Sequence, residues 1–130
     1  MASKSNFIGL GVPPALANIF GAGGLGITAQ GASQASAAQM AGNERLYYVN
    51  ASNSGNYINL PNVGGDTGCL LGDVFNIVNL LSASVVLTGQ STVNLYGAGT
   101  SSTAGTTGVS LAANTAYIAY PISASTWVYK

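Results

Sequence analysis

The sequence predicts an all-β fold: a small β-sandwich or jelly-roll-like domain with an irregular N-terminal arm, assembled as a homotrimer. Three observations predict it: about eight short β-prone segments, one stretch that is apolar on both faces, and very little charge. Turn signals separate the segments at intervals of about 8–12 residues, which is typical of sandwiches and barrels. The 130 residues are enough for one such domain.

The stretch from Gly72 to Gly89 is the centre of the predicted domain. Successive residues of a strand point to opposite faces, so Val74 and Val78 lie opposite Phe75 and Ile77. Apolar residues on both faces are typical of a strand that is covered on both sides. We interpret the stretch as a hairpin that turns at its serines and contacts other copies of the chain. The predicted interface consists of four apolar side chains: Phe75, Ile77, Val85 and Leu87.

Charged residues make up only 5% of the chain, with three Lys or Arg and three Asp or Glu. A soluble domain normally carries about 25% charged residues. A net charge of zero gives little protection against association, so we expect the chain to pack against its own copies. Three cations are too few for the electrostatic contact that nucleic acids require, so no nucleic-acid partner is predicted.

The residues that support catalysis are scarce. The chain has no histidine, which is the commonest general base and metal ligand. Asp66 and Asp73 flank Cys69, but they supply too few oxygens for a calcium site and are better interpreted as turn caps. Cys69 is the single cysteine and has no cation near it in sequence to activate it. We therefore predict no enzymatic activity, no cofactor, no metal and no small-molecule substrate.

A membrane helix is the alternative for a run as long as Gly72 to Gly89. Asp73, Asn76, Asn79 and Ser82 interrupt the run where a lipid-facing helix cannot satisfy them, so no membrane partner is predicted.

The sequence divides into an arm, residues 1–31, and a β-sandwich domain, residues 32–130. The arm is rich in Gly and Ala, and its one predicted regular element is a short helix from Pro14 to Phe20. It loosely resembles a signal peptide, but Pro13, Pro14 and several glycines interrupt the apolar core that a leader needs. Such a segment is expected to become ordered by docking on another surface.

The remaining chain is predicted as short strands and turns, with residues 28–42 ambiguous between helix and extended structure. Tyr57–Leu60 is expected to return beside Leu46–Val49 and to end at Pro61, and Pro121 is expected to end a later strand. Residues 97–108 are expected to form a flexible loop. The other predicted strands are Val93–Tyr96, Val109–Leu111, Tyr117–Tyr120 and Thr126–Tyr129.

Several short motifs, taken in order, resemble a family of small phage and prophage structural proteins. The matching residues are Leu60-Pro61, Gly72-Asp73, Asn79, Asn94-Leu95-Tyr96, Ser110 to Asn114 and Thr126-Trp127-Val128. The resemblance implies a virion component similar to the trimeric cement, or decoration, proteins of tailed-phage heads. It implies a location on the outer capsid surface, with the major capsid protein as partner.

In this interpretation the arm contacts the capsid. Its predicted contact residues are apolar: Phe7, Ile8, Leu10, Leu16, Ile19 and Phe20. The alternative is a tail or fibre module that binds a host glycan or receptor through its aromatic residues. Tyr47 and Tyr48 point to opposite faces of a strand, as do Tyr117 and Tyr120, so we expect no single sugar-stacking platform.

Overall fold

A computed structural model describes residues 24–64, 68–97 and 102–130, and these ranges are almost entirely β. One 3-10 turn, Gln34–Ser36, lies among the strands. The predicted helix at Pro14–Phe20 lies outside the described residues. The strands are β1 Gly24–Gln30, β2 Ala38–Gln39, β3 Leu46–Asn53, β4 Tyr57–Asn59, β5 Phe75–Asn79, β6 Val85–Thr88, β7 Asn94–Gly97, β8 Thr103–Ala104, β9 Val109–Leu111, β10 Thr115–Ser123 and β11 Thr126–Tyr129.

The strands form two mixed sheets. The large sheet has the order β1-β3-β5-β10-β11-β7-β8, and the small sheet has the order β2-β4-β6-β9. The first six strands alternate between the two sheets. From β3 to β6, each strand pairs in parallel with the strand two before it in sequence. The N-terminal half is therefore a stack of three coils, each with one strand per sheet: coil 1 (β1, β2), coil 2 (β3, β4) and coil 3 (β5, β6).

The C-terminal strands close the stack beyond coil 3. In the small sheet β9 pairs antiparallel with β6, and in the large sheet β10 pairs antiparallel with β5. Five of the nine strand pairings within the described ranges are parallel. The all-β prediction is confirmed, but a jelly roll pairs its strands antiparallel, so its topology is not the observed one.

The predicted central hairpin is corrected by this topology. β5 and β6 belong to different sheets, because the polar residues between them carry the chain across rather than back. The same holds for β3 and β4, which were expected to lie side by side. Sequence patterns locate these strands correctly but do not specify their partners.

Inner side chains of both sheets form one hydrophobic core. Three of its aromatic residues come from the large sheet: Phe75 lies 5.7 Å from Trp127 and 6.4 Å from Tyr47 between ring centroids. Ile58 and Leu87 face them from the small sheet and are fully buried. Burial of such side chains supplies the main driving force for folding.

The boundary predicted at residue 31 is placed too late. β1 lies within the predicted arm, yet it pairs with β3 over its whole length, from Gly24 beside Leu46 to Gln30 beside Asn53. The ambiguous residues 28–42 comprise the end of β1, the 3-10 turn and β2. The folded domain therefore includes residues 24–31.

Pro121 lies inside β10 instead of ending it. β10 pairs with β5 only as far as Ala119, beside Phe75, so the pairing with β5 has already ended at the proline. The Pro121 carbonyl accepts a hydrogen bond from the Gly72 N–H at 3.0 Å on that same side. The nitrogen therefore faces a loop, where the absence of an N–H breaks no ladder hydrogen bond.

Coils 1 and 2 meet closely at one corner. Gly31 and Gly55 follow β1 and β3 with φ values of 78° and 151°, and the Asn56 N–H donates to the Gly31 carbonyl at 3.1 Å. A Cβ atom on Gly55 would lie 1.7 Å from the Gly31 oxygen. Glycine is required here because any side chain would push the two coils apart.

Candidate functional site

The strands of both sheets contain no Asp, Glu, Lys or Arg. In the large sheet the residues that alternate with the buried ones point away from the core. Those of β10 are all apolar, whereas the other strands also carry Thr, Gln, Asn or Ser there. We call this outer surface the apolar face. Its members are Tyr48, Val74, Val78, Tyr96, Ile118, Tyr120, Ile122 and Val128.

The strand register arranges these side chains in rows across the large sheet. Val128 lies between Tyr120 and Tyr96 in one row, across β10, β11 and β7. A second row joins Tyr48 to Val78 across β3 and β5. Adjacent strands lie about 4.8 Å apart, so the side chains of a row contact one another. Between these two rows lies a mixed row of Leu46, Asn76, Ile118 and Lys130. The apolar face therefore consists of neighbouring apolar side chains with two polar positions among them.

Much of this surface is exposed in the single chain. The exposed fraction is 58% for Ile122, 45% for Val74 and 41% for both Ile118 and Tyr96. Leu70 and Leu71 are also exposed, in a loop that lies beside β10, because the Gly72 N–H donates to the Pro121 carbonyl. Contiguous exposed apolar patches on soluble domains mark sites of interaction.

The four predicted interface residues lie elsewhere. Phe75, Ile77, Val85 and Leu87 are each 0% exposed and belong to the core of the single chain. A side chain with no exposed surface cannot add contact area to a second chain, so this assignment is corrected. The outward neighbours Val74 and Val78 are available instead. Both sets are apolar, so the sequence did not reveal which one faces inward.

The six predicted capsid-contact residues of the arm lie outside the described residues. These are Phe7, Ile8, Leu10, Leu16, Ile19 and Phe20. The structure therefore brings none of them together with the apolar face, and the assignment stays a prediction.

The tyrosines divide between the two sides of the large sheet, as predicted. Tyr47 points inward, and its hydroxyl donates to the Ala41 carbonyl, whereas Tyr48 points outward over Gly24 and Gly26. Burial raises the pKa of Tyr47 to about 12. The Tyr117 hydroxyl accepts a hydrogen bond from the Ala112 N–H at 2.8 Å, while Tyr120 joins the apolar face.

Trp127 is 1% exposed in the core, so its ring cannot stack on a ligand.

One ion pair ties the loop before β5 to the sheet. An Arg45 guanidinium nitrogen lies 3.2 Å from an Asp73 carboxylate oxygen, and the guanidinium lies 5.2 Å from the centre of the Phe75 ring. The same Asp73 oxygen accepts a hydrogen bond from the Leu70 N–H at 2.9 Å. Asp73 is thus the turn cap that the sequence predicts, while Asp66 lies outside the described residues.

A polar ladder crosses the small sheet beside the core. Gln39, Asn59 and Thr88 are register partners on β2, β4 and β6. The Asn59 amide donates to the Gln39 carbonyl oxygen at 2.8 Å, and the Thr88 hydroxyl donates to the Asn59 carbonyl oxygen at 3.1 Å. Asn59 and Thr88 are buried, so these bonds replace water that the side chains have lost.

Asn79 performs a similar role at the end of β5. Its amide nitrogen donates to the carbonyls of Ala83, Leu111 and Ala112 at 2.9, 3.3 and 3.1 Å. Its oxygen accepts from the Leu81 N–H at 3.0 Å. Among the described residues, no buried side-chain polar atom lacks a hydrogen-bond partner. These groups are therefore committed to the fold.

A cleft of about 290 Å³ lies at the edge of the small sheet. The Gln39 amide nitrogen there donates to the carbonyls of Met40 and Leu60, so its polar group is already used. None of the lining residues titrates. They are Gln39, Met40, Ala41, Pro61 and Asn62.

Cys69 is 1% exposed, and burial, together with the negative charge of Asp73, raises the pKa of its thiol. Such a thiol carries little of the nucleophilic thiolate. Within residues 24–64, 68–97 and 102–130, no three His, Cys, Asp or Glu side chains come together as a metal site. In the same ranges no helix has the length and apolar character to cross a membrane.

Comparisons with known proteins identified no relative of this chain. No family model matches the chain, and we found no curated protein and no solved structure similar to it. The likeness to phage cement proteins rests on the sequence motifs alone.

Proposed function

We propose that this chain is a non-enzymatic virion structural protein, a cement protein that forms a homotrimer and binds the outer surface of a phage head. The apolar face is the observation that carries the proposal, because an exposed surface of this kind favours a subunit of an assembly. The role in a virion, the location on the capsid surface and the major capsid protein as partner are proposed from the motif resemblance.

The occupant that we assign to the apolar face is another copy of the chain. The strands of the face contain no charged residue, and Lys130, which follows β11, pairs with Ile118 through its backbone. Most of the face can therefore be buried against a similar surface without removing a charge from water. Interface cores are depleted in charge and enriched in aromatic residues, as this surface is. A specific interface needs about 800 Å² from each partner, and much of the gain of about 25 cal/mol per Å² is offset by lost motional freedom.

Attachment to a shell does not require a strong single contact. A trimer that contacts the shell at several points gains affinity from the linkage between its subunits. Modest contacts per subunit therefore suffice to keep such a protein on a particle.

A single charge on the apolar face tests the proposal. We expect the wild-type chain to scatter light with the mass of a trimer at micromolar concentration, and Ile118→Asp to scatter with the mass of one chain. The variant should keep its circular dichroism spectrum, because Ile118 points away from the core. The matched control is Ser110→Asp on β9, an exposed position of the small sheet, which should stay trimeric.

A wild-type chain with single-chain mass, or an Ile118→Asp variant as trimeric as the wild type, would contradict the assignment of the face.

A second measurement is needed to locate the protein on the head or the tail of the virion. Antibody labelling of the particle in electron micrographs should decorate the head if the chain is a cement protein. The tail or fibre alternative draws support from Tyr96 and Tyr120, which lie in one row on the apolar face. It predicts labelling at the tail, and loss of glycan binding when these two tyrosines are replaced by alanine.

A further inference from the structure

The charged side chains of the described ranges fall into two pairs. Arg45 and Asp73 form the ion pair at 3.2 Å that holds the loop before β5. Glu44 and Lys130 are the other two charged residues of residues 24–64, 68–97 and 102–130, and neither makes an ion pair within these ranges. Their charges are opposite, so each has the sign that the other needs.

Lys130 lies on the outer side of the large sheet. Its N–H donates to the Ile118 carbonyl at 2.9 Å, and its carbonyl accepts from the Ile118 N–H at 3.0 Å. Two residues that exchange both hydrogen bonds lie directly opposite each other, with their side chains on the same side of the sheet. Ile118 is an exposed member of the apolar face, so the exposed Lys130 side chain belongs to the β11 side of that face.

Glu44 lies at the β3 side of the same sheet. It is partly exposed and precedes Leu46, the first residue of β3, which begins the mixed row that ends at Lys130. Three spacings of about 4.8 Å, or about 14 Å in all, separate the two ends of this row. An ion pair requires nitrogen and oxygen within about 4 Å, so Glu44 and Lys130 of one chain do not pair with each other.

A closed ring of three copies brings different sides of the face together. Its contacts are heterologous, which means that one surface of a subunit meets another surface of the next subunit. The β11 side of one copy then meets the β3 side of its neighbour. Like charges at an interface disfavour an arrangement and unlike charges favour it. Glu44 and Lys130 therefore favour the arrangement in which opposite sides meet.

We propose that Glu44 of one copy and Lys130 of the next form an ion pair at the edge of the interface and determine which sides of two apolar faces meet. This ion pair rests on the proposed association of copies and adds the contact that orients them. Apolar burial is non-directional, so it favours association without selecting one orientation. Charges at the rim of an interface contribute more to specificity than to affinity.

Charge reversal in the full-length chain tests the ion pair. Lys130→Glu places a negative charge opposite Glu44 of the next copy, and Glu44→Lys places a positive charge opposite Lys130. We expect each single variant to dissociate at a concentration at least about fivefold above that of the wild type, measured by light scattering on dilution. The double variant restores unlike charges and should dissociate within about twofold of the wild-type concentration.

Ser110→Glu and Ser110→Lys are the matched controls, because they change the net charge at an exposed position of the small sheet. Both should dissociate as the wild type does, and circular dichroism checks that every variant is folded. A single reversal as trimeric as the wild type, or a double variant that associates no better than the single ones, would overturn the ion pair and leave the proposed trimer standing. A wild-type chain with single-chain mass would overturn both.

Carbodiimide crosslinking of the unmodified full-length chain gives an independent test. The reagent joins an amine and a carboxylate in contact as an amide and takes up the water that is released. Samples mix ¹⁴N- and ¹⁵N-labelled chains that have exchanged subunits at low concentration, and mass spectrometry of peptides identifies the linked residues. We expect an amide between Lys130 of one isotopic chain and Glu44 of the other.

A Lys130 crosslink to Glu44 within one isotopic chain only would overturn the ion pair between copies. Crosslinks of Lys130 to Asp66 or Asp73 alone, or no crosslink of Lys130, would overturn it as well.

Discussion

The outer surfaces of the two sheets differ in polarity and in how far they are covered. The small sheet carries a polar ladder, and part of the segment between β8 and β9 packs over it: a Cβ atom on Gly108 would lie 2.8 Å from the Thr88 methyl carbon. The large sheet carries the apolar face, which no described residue covers to the same degree. Polar groups are thus covered and bonded within the chain, while aliphatic and aromatic groups are left exposed.

This contrast separates the parts of the sequence that serve the fold from those that we propose contact a partner. Buried amides and hydroxyls with complete hydrogen bonding fix one arrangement of strands, because any other arrangement leaves them unpaired. Exposed apolar groups contribute little to the folding of the single chain, and their burial requires a second surface. Substitutions in the two regions should therefore affect different measurements.

The largest effect on stability is expected from the polar ladder. Replacement of Asn59 by Leu removes its hydrogen bonds with the Gln39 carbonyl oxygen and the Thr88 hydroxyl, and leaves Thr88 only its bond to the Ile58 carbonyl. We expect the free energy of unfolding to fall by about 2–3 kcal/mol. Urea denaturation measures this in the Ile118→Asp background, which we expect to be monomeric, so that association makes no contribution.

The same replacement on the large sheet is the control. Asn76 is exposed on β5, and Asn76→Leu should change the free energy of unfolding by less than about 0.5 kcal/mol. Equal changes in the free energy of unfolding for Asn59→Leu and Asn76→Leu would contradict a stabilising role of the polar ladder.

The sequence predicts the strands better than it predicts their arrangement. β9 and β11 have the expected bounds, because short apolar alternations between turn residues mark strands locally. Parallel pairing between β3 and β5 joins residues about 30 positions apart, and no local pattern encodes it. The same limit explains why β5 and β6 were interpreted as a hairpin.

The four predicted interface residues are core residues, and an interface between copies of the chain stays a prediction. Low charge and two-sided apolar strands predict apolar side chains on the surface, and several are exposed. A shift of one residue exchanges the two faces of a strand, so Phe75 and Ile77 were assigned where Val74 and Val78 lie. Asn79 belongs to the motif resemblance, but two of its four hydrogen bonds go to Leu111 and Ala112, at the end of β9 and in the loop after it, which local sequence patterns do not position.

An intermediate effect is expected from the inner face of the large sheet at high pH. The pKa of Tyr47 is about 12 in the folded chain and about 10 in an unfolded one, so its contribution is fully present below pH 10. It is lost as the pH rises from 10 to 12, because the unfolded chain releases the proton first. Over that range we expect the wild type to lose about 2 kcal/mol more stability than Tyr47→Phe.

Urea denaturation at a series of pH values measures the difference. Parallel curves for the wild type and Tyr47→Phe would show that the Tyr47 hydroxyl is not held in the protonated form by burial.

The smallest expected effects compare one apolar group from inside the fold with one from the apolar face. Cys69→Ala removes a buried sulfur and should lower the free energy of unfolding by about 1 kcal/mol, with the trimer unchanged. Ile122→Ala removes exposed carbons and should change unfolding of the Ile118→Asp background by less than about 0.5 kcal/mol. In the otherwise wild-type chain the same change should raise the concentration below which the proposed trimer dissociates. Light scattering on dilution measures association, and urea denaturation measures the free energy of unfolding. Weaker association in Cys69→Ala but not in Ile122→Ala would contradict the assignment of the interface to the apolar face.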